Sequence, residues 1–352
     1  MVRFTDIIKN KDNKVSKPPK NEQKEKEGGG FSLSDSGIFK SSDKKNAPEI
    51  ATKKKTAKME VVTYYGRFIE RAQDIQQRIK SDQGISPSPI LADLHAVIDK
   101  NLIDQLYEYA MSARGDYDEM LIHTVDVTFT ALKIGKGINY DIKTLLRLGL
   151  AAFLENVGMY KVPENILKNT RKLSEEEIRL IKKHPEISYE ILSQLGERYK
   201  WLADVILKTH ERYDGSGYPS GIKGDEIPEL ASIIGLVDTY IAMIKNRPYR
   251  EKFIQTDAIK SIVEASKGRF SPRILKIFLD QISFFPVGSY IKLNNGSIGK
   301  VISTEKNQPL RPNIELLYDG AGKKLANPQT IQLSDNPLLF IDSSVNADSL
   351  QS

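Results

Sequence analysis

From Met59 onward, apolar residues return at three- and four-residue steps: Val62, Tyr65, Phe68, Ile69, Ala72, Ile75 and Ile79. That period keeps one face of a helix apolar and predicts an amphipathic helix here. Pro87 and Pro89 interrupt it. A further helical pattern runs over 90–109, with Leu91, Leu94, Val97, Ile98, Leu102 and Leu106 on one side. The helical period continues through 119–133, 142–154, 174–195, 201–213, 228–244 and 256–267. Ser174 followed by Glu177 forms a capping box, in which hydroxyl and carboxylate satisfy free backbone amides, and Thr256 with Asp257 offers a similar start. After Phe285 the pattern changes. Short apolar runs at 289–293, 298–304, 314–318 and 330–333 are separated by Asn295-Gly296 and Asp319-Gly320, which are hairpin signals. The prediction is a mainly α protein: a helical region over 57–118, a helical domain over 119–285, a small β-subdomain over 286–342 and a flexible tail over 343–352.

Residues 1–56 carry Lys, Asn, Ser and Pro, a Gly28-Gly29-Gly30 break and few large apolar groups, so they read as a disordered tether. Phe31, Leu33, Ile38 and Phe39 are the exception, enough for a short docking segment. The net charge of +6 is partly local, with Lys9, Lys11, Lys14, Lys17 and Lys20 in the tail and a run at Lys53, Lys54 and Lys55. A basic tail attracts nucleic acid or anionic lipid. No aromatic residues alternate with these lysines, so specific nucleic-acid binding is not expected. With 352 residues there is room for one large domain and a smaller one. The absence of Cys excludes disulfides and thiolate metal sites. No apolar run reaches bilayer length, and residues 1–10 lack a signal-peptide pattern, so a cytoplasmic protein is expected.

The chain has four histidines. His95 sits in an ordinary amphipathic stretch and reads as packed or solvated. Glu119 and His123 are one helical turn apart and face the same way; such a pair either shares a divalent ion or simply faces water. The string from Lys208 to Pro219 is more specific: His210-Glu211 precede Asp214-Gly215-Ser216-Gly217-Tyr218-Pro219. Its two glycines permit a tight, left-handed path and Pro219 stiffens the exit.

That string resembles the signature loop of the HD-GYP family, the metal-dependent cyclic-di-GMP phosphodiesterases of the HD superfamily. Further stretches carry the resemblance. The segment 151–163 aligns with the family's His-Asp stretch, Lys183-His184-Pro185 with its next His-Pro, Val237-Asp238-Thr239-Tyr240 with its distal Asp, and Arg247-Pro248-Tyr249-Arg250 with the Arg-Pro-Tyr that follows. Phe270-Ser271-Pro272 resembles its Phe-Asp-Pro, with Ser for Asp. The resemblance implies an HD-type helical bundle holding two or three metal ions that hydrolyses cyclic-di-GMP to the linear dinucleotide or GMP. It implies metal-ligand positions at His123, His184, His210 and Asp238, with Glu119 matching the extra Glu of three-metal variants. Arg247 falls at a nucleotide-binding position.

Several positions depart from the family. Glu155 and Asn156 stand for the His and Asp of the His-Asp pair, Thr209 for the first His of the His-His pair, and Met159 for a nearby Lys. The family Asp bridges two ions, whereas an Asn amide is neutral and offers one oxygen. Two-metal catalysis needs ions about 3.5–4 Å apart, so this loss strikes the chemistry directly. Glu155 remains a hard ligand. The expectation is a metal site of reduced occupancy for iron, manganese or zinc, built from Glu119, His123, Glu155, His184, His210 and Asp238. A weak or inactive relative would bind cyclic-di-GMP or dock a protein through the loop of Asp214, Gly215, Gly217, Tyr218 and Pro219. The alternative is an active phosphodiesterase with a reduced site.

Overall fold

A computed structural model describes residues 47–112, 117–169, 171–244, 255–265, 268–282, 284–285, 287–304 and 310–345. The predicted tail up to residue 46, with its docking segment and Lys9 to Lys20, lies outside these residues, as does Arg247. So do the side chains of Lys53, Lys54, Lys55, Thr256 and Asp257. Among the described residues no helix is long and apolar enough to cross a membrane.

Helix α1 spans Ala47–Lys80, so residues 47–56, read from their composition as the end of the disordered tether, are helical; no Gly or Pro after Pro48 interrupts the helix there. Its inner stripe is Val61, Tyr65, Phe68, Ile69, Ala72, Ile75 and Ile79, all buried. Val62, assigned to that stripe from the pattern, is exposed, because the register that buries Tyr65 and Phe68 selects Val61 instead. Phe68 meets Phe129 edge-on at 5.0 Å and Phe153 at 5.8 Å, so α1 is part of the core. Arg67 and Arg71 also grip the buried Asp93 carboxylate of α2 (Ser88–Asp99), at 3.2 and 2.8 Å. The pattern at 90–109 forms two helices. Asn101 adopts a left-handed φ of 52° after α2, and α3 (Ile103–Ser112) starts afresh.

Helix α4 (Glu119–Gly137) is the central rod. Asp118 caps it by accepting from the Met120 amide. Its buried polar side chains are hydrogen-bonded: Thr128 and Thr130 donate to backbone carbonyls four residues back, and Tyr65 donates to Asp126. Helix α5 (Ile142–Leu154) packs on it and gives way to a 3-10 turn at Val157–Lys161. The short α6 (Glu164–Leu167) follows. The predicted 174–195 helix is also split. Helix α7 (Glu175–Lys182) has the expected capping box at Ser174 and Glu177, and α8 (His184–Ser193) restarts beyond Lys183. Pro185 has no amide hydrogen to continue the α7 ladder, and is tolerated only in a first turn. Helix α9 (Lys200–Leu207) stops well short of residue 213, releasing His210 into a turn. Helices α10 (Glu229–Ile244), α11 (Gln255–Ala265) and α12 (Pro272–Gln281) complete the helical part.

The C-terminal sheet is antiparallel throughout, in the order β4-β3-β2-β1-β5. Its strands are β1 (Tyr290–Leu293), β2 (Ile298–Ser303), β3 (Asn313–Tyr318), β4 (Lys324–Gln332) and β5 (Ile341–Val345). Gly296, at φ 86°, makes the first hairpin turn. Ile291, Leu293, Val301 and Ile314 form its buried face. Strand β5 pairs with β1 and runs to Val345, so the sheet takes in residues that the pattern assigned to the tail. Its polar Asp342-Ser343-Ser344 carries no strand signal; pairing with β1 supplies the order.

Candidate metal centre and its cleft

Five segments deliver the side chains. The end of α5 presents Glu155 and Asn156, the first turn of α8 presents His184, and the turn after α9 presents Thr209 and His210. Facing them, α4 carries Glu119 and His123 and α10 carries Asp238. Two close approaches fix this arrangement. A Cβ on Gly158 would lie 2.2 Å from the His184 carbonyl oxygen, and a Cβ on Gly235 would lie 2.0 Å from that of Thr209. Only glycine lets these backbones meet. Ser188 stitches the first contact: its hydroxyl accepts from the Gly158 amide at 2.8 Å and donates to the Glu155 carbonyl at 3.1 Å.

Glu155, His184 and His210 come together, each offering a ligand atom within 4.8 Å of the others, and all are buried. His184 Nδ1 donates to the Ile181 carbonyl at 2.8 Å, which leaves Nε2 to face inward. That Nε2 lies 2.9 Å from His210 Nε2, which is 3.5 Å from Glu155 Oε1. Beside this trio, His123 Nε2 donates to Asp238 Oδ1 at 2.7 Å. Glu119 is exposed at the rim, lining the same cleft as His123, Asn156, Met159 and Asp238. The cleft measures about 660 Å³. Thr209 is buried, and its hydroxyl donates to the Ile206 carbonyl at 2.9 Å.

Burial pushes the His210 imidazole down to about 3; Asp238 opposes the shift, and His184, Arg212 and His123 add to it. Burial also lowers His184, against its bond to Ile181 and the charge of Asp238. Both rings are therefore neutral near pH 7, the form in which imidazole binds metal.

The 214–219 loop closes over His210. Tyr218 stacks on its ring at 5.0 Å with 4° between the planes, and the Tyr218 amide donates to the His210 carbonyl at 3.2 Å. Tyr218–Pro219 is a cis peptide. Buried Glu211 holds the loop's exit by accepting from the amides of Ser220 and Gly221 at 2.7 and 3.1 Å. Asp214 accepts from the hydroxyl and amide of Ser216 at 2.6 and 2.9 Å, and these bonds hold its carboxyl below the usual range. Gly215 takes φ 82°, and Gly217 lies against the Glu211–Arg212 backbone.

Sequence reasoning missed one wall of the cleft. Gln76 and Lys80 of α1 line it, as does Lys168, which pairs with Glu164 at 2.7 Å. No motif marks α1, so nothing in the chain's pattern announced this.

The trio fits one divalent ion. Two imidazole nitrogens bound to one ion at about 2.0–2.1 Å, with 90–109° between the bonds, stand about 2.9–3.4 Å apart. The 2.9 Å between His184 and His210 falls in that range.

Comparison with known proteins places the helical part and the sheet among described domains. Residues 101–274 match the HD domain, and 290–352 match the KOW domain associated with HD domain. The chain is 28% identical over 212 residues to cyclic di-GMP phosphodiesterase PA4108 of Pseudomonas aeruginosa, covering 60% of this chain and 51% of that protein. It is 26% identical over 242 residues to cyclic di-GMP phosphodiesterase PdeB of Borreliella burgdorferi, covering 63% and 64%. The chain thus spans between half and two-thirds of these relatives. Among solved structures it resembles Bd1817, a HDG"Y"P protein from Bdellovibrio bacteriovorus, with a TM-score of 0.52, 17% identity and coverage of 62% and 69%. That likeness concerns the fold.

Proposed function

We propose, taking as premise that this chain belongs to the HD-domain family, that it binds a cyclic dinucleotide in the cleft lined by His123, Asn156, His184, His210 and Asp238 and turns it over slowly or not at all. Cyclic di-GMP is the first candidate, because the relatives are named for it. In this reading Glu155, His184 and His210 hold one ion of iron, manganese or zinc, with His123, Asp238 and Glu119 beside it. Bound metal would activate water and neutralise phosphate charge. The chain's own groups do the rest. The Ile181 carbonyl orients His184, Tyr218 shields His210, and Lys80 and Lys168 supply positive charge at the rim where Met159 offers none. The loop of Asp214, Gly215, Gly217, Tyr218 and Pro219 is the surface through which a protein partner would read the bound state.

One observation carries the low-turnover reading. Two positions at which the resemblance implies ligands have their polar groups otherwise engaged: Thr209 donates to Ile206, and the Asn156 amide donates to Glu155. Losing such groups typically lowers metal affinity or rate by about 10–100-fold or more. The second reading, an active phosphodiesterase with a reduced site, is favoured by the intact trio.

The test is a cyclic di-GMP titration of the purified chain with Mn²⁺, alongside chromatography of products. Binding without appreciable product is expected, lost in His210→Ala. The combined change Glu155→His, Asn156→Asp, Thr209→His and Met159→Lys should raise turnover. Rapid turnover by the unaltered chain, abolished by His210→Ala, would support the second reading instead.

A further inference from the structure

Glu155 and Asn156 resemble two independent losses from the family's His-Asp pair, but they touch. Asn156 Nδ2 donates to Glu155 Oε2 at 2.8 Å, while Oε1 of the same carboxylate lies 3.5 Å from His210 Nε2. Glu155 is 1% exposed, and Asn156 lines the cleft. We propose that Asn156 is a positioning residue for Glu155, and that the two form one coupled unit building a single-ion site of one carboxylate and two imidazoles. This rests on the reading of the trio as a metal centre.

The chemistry follows from what an amide can do. A carboxylate on a flexible side chain needs a donor to fix its plane, and the Asn156 NH₂ supplies one to the oxygen turned away from His210. An ionised Asp in place of Asn156 has no hydrogen to donate. It would set a second negative charge beside Glu155 and drive one of the two carboxylates away. Asn156→Asp alone, although it restores the family residue, should therefore weaken the site. Restoring both family residues should not, because Glu155→His removes the repulsion and leaves the introduced Asp carboxylate to act as a ligand. Two imidazoles and one carboxylate are the donor set of mononuclear iron or manganese sites rather than of bridged pairs.

The experiment is a Mn²⁺ titration of the 352-residue chain, read by calorimetry and by the electron-spin signal of free Mn²⁺, for the unaltered protein, Asn156→Ala, Asn156→Asp, Glu155→His and the Glu155→His/Asn156→Asp pair. Thermal melts of the metal-free proteins check folding. The unaltered protein should bind one ion. Asn156→Ala and Asn156→Asp should each weaken binding about 10–100-fold, and the pair should bind more tightly than either of its single changes. If the unaltered protein binds one ion and both Asn156 variants stay within about threefold of it, a change far below that expected on losing a supporting bond, the positioning role is overturned and the metal centre stands. Additive effects in the pair would overturn the coupling. No binding by the unaltered protein would remove the metal centre and this proposal together.

Discussion

His210 is buried beneath Tyr218, and burial pushes its imidazole from 6.5 to about 3. The sign of the consequence follows from proton counting. Below pH 6.5 the unfolded chain binds a proton that the folded chain refuses, so acid favours unfolding. Metal-free protein should lose stability as pH falls through the window from about 6.5 toward 3, by at most about 1.4 kcal/mol per pH unit from this one ring. Melting temperatures between about pH 7 and 5, across the upper part of that window, measure it. His210→Gln should flatten the slope; equal slopes in both proteins would contradict the assignment. At this scale the sequence was informative where identity alone mattered. His123, His184, His210 and Asp238 stand out because the residues around them match the motifs of the HD-GYP resemblance. Direction was not legible. Nothing in the chain says that Thr209 turns its hydroxyl to Ile206, or that Asn156 donates to Glu155, because rotamers are chosen by packing.

Helices are legible by their period but not by their ends. The patterns over 90–109 and 174–195 each conceal a break, at Asn101 and Lys183. The second matters more, since it places His184 at the head of α8. Pro185 was the available clue. Strand β5 was invisible because its order comes from pairing with β1 rather than from apolar alternation. Contacts between elements also set a prediction. Gly235→Ala would thrust a methyl against the Thr209 carbonyl, with only 2.0 Å available, so α10 or the His210 turn must move. The expected cost is about 1–3 kcal/mol or more, measured by urea unfolding, together with weaker Mn²⁺ binding. Unchanged stability and unchanged metal binding would mean that this contact does not hold the site.

Across the molecule, α1 joins the core instead of standing apart. Its Phe68 packs on α4 and α5, and its Gln76 and Lys80 reach the cleft wall. No family signal marks this helix in the sequence; its period predicts the amphipathic helix, and the structure buries the apolar stripe. Lys80→Glu should weaken cyclic di-GMP binding about tenfold, the worth of one charge-assisted contact, while leaving Mn²⁺ affinity in place. Equal nucleotide affinity in the variant would place the phosphates elsewhere.

The most direct measurement mixes the purified chain, in excess and with Mn²⁺, with cyclic di-GMP and follows both bound nucleotide and linear product over time. Nucleotide should be held in the cleft and recovered almost intact, with binding lost in His210→Ala. Conversion at ordinary enzyme rates, about 10 s⁻¹, or no binding to a folded, metal-loaded chain, would contradict this reading.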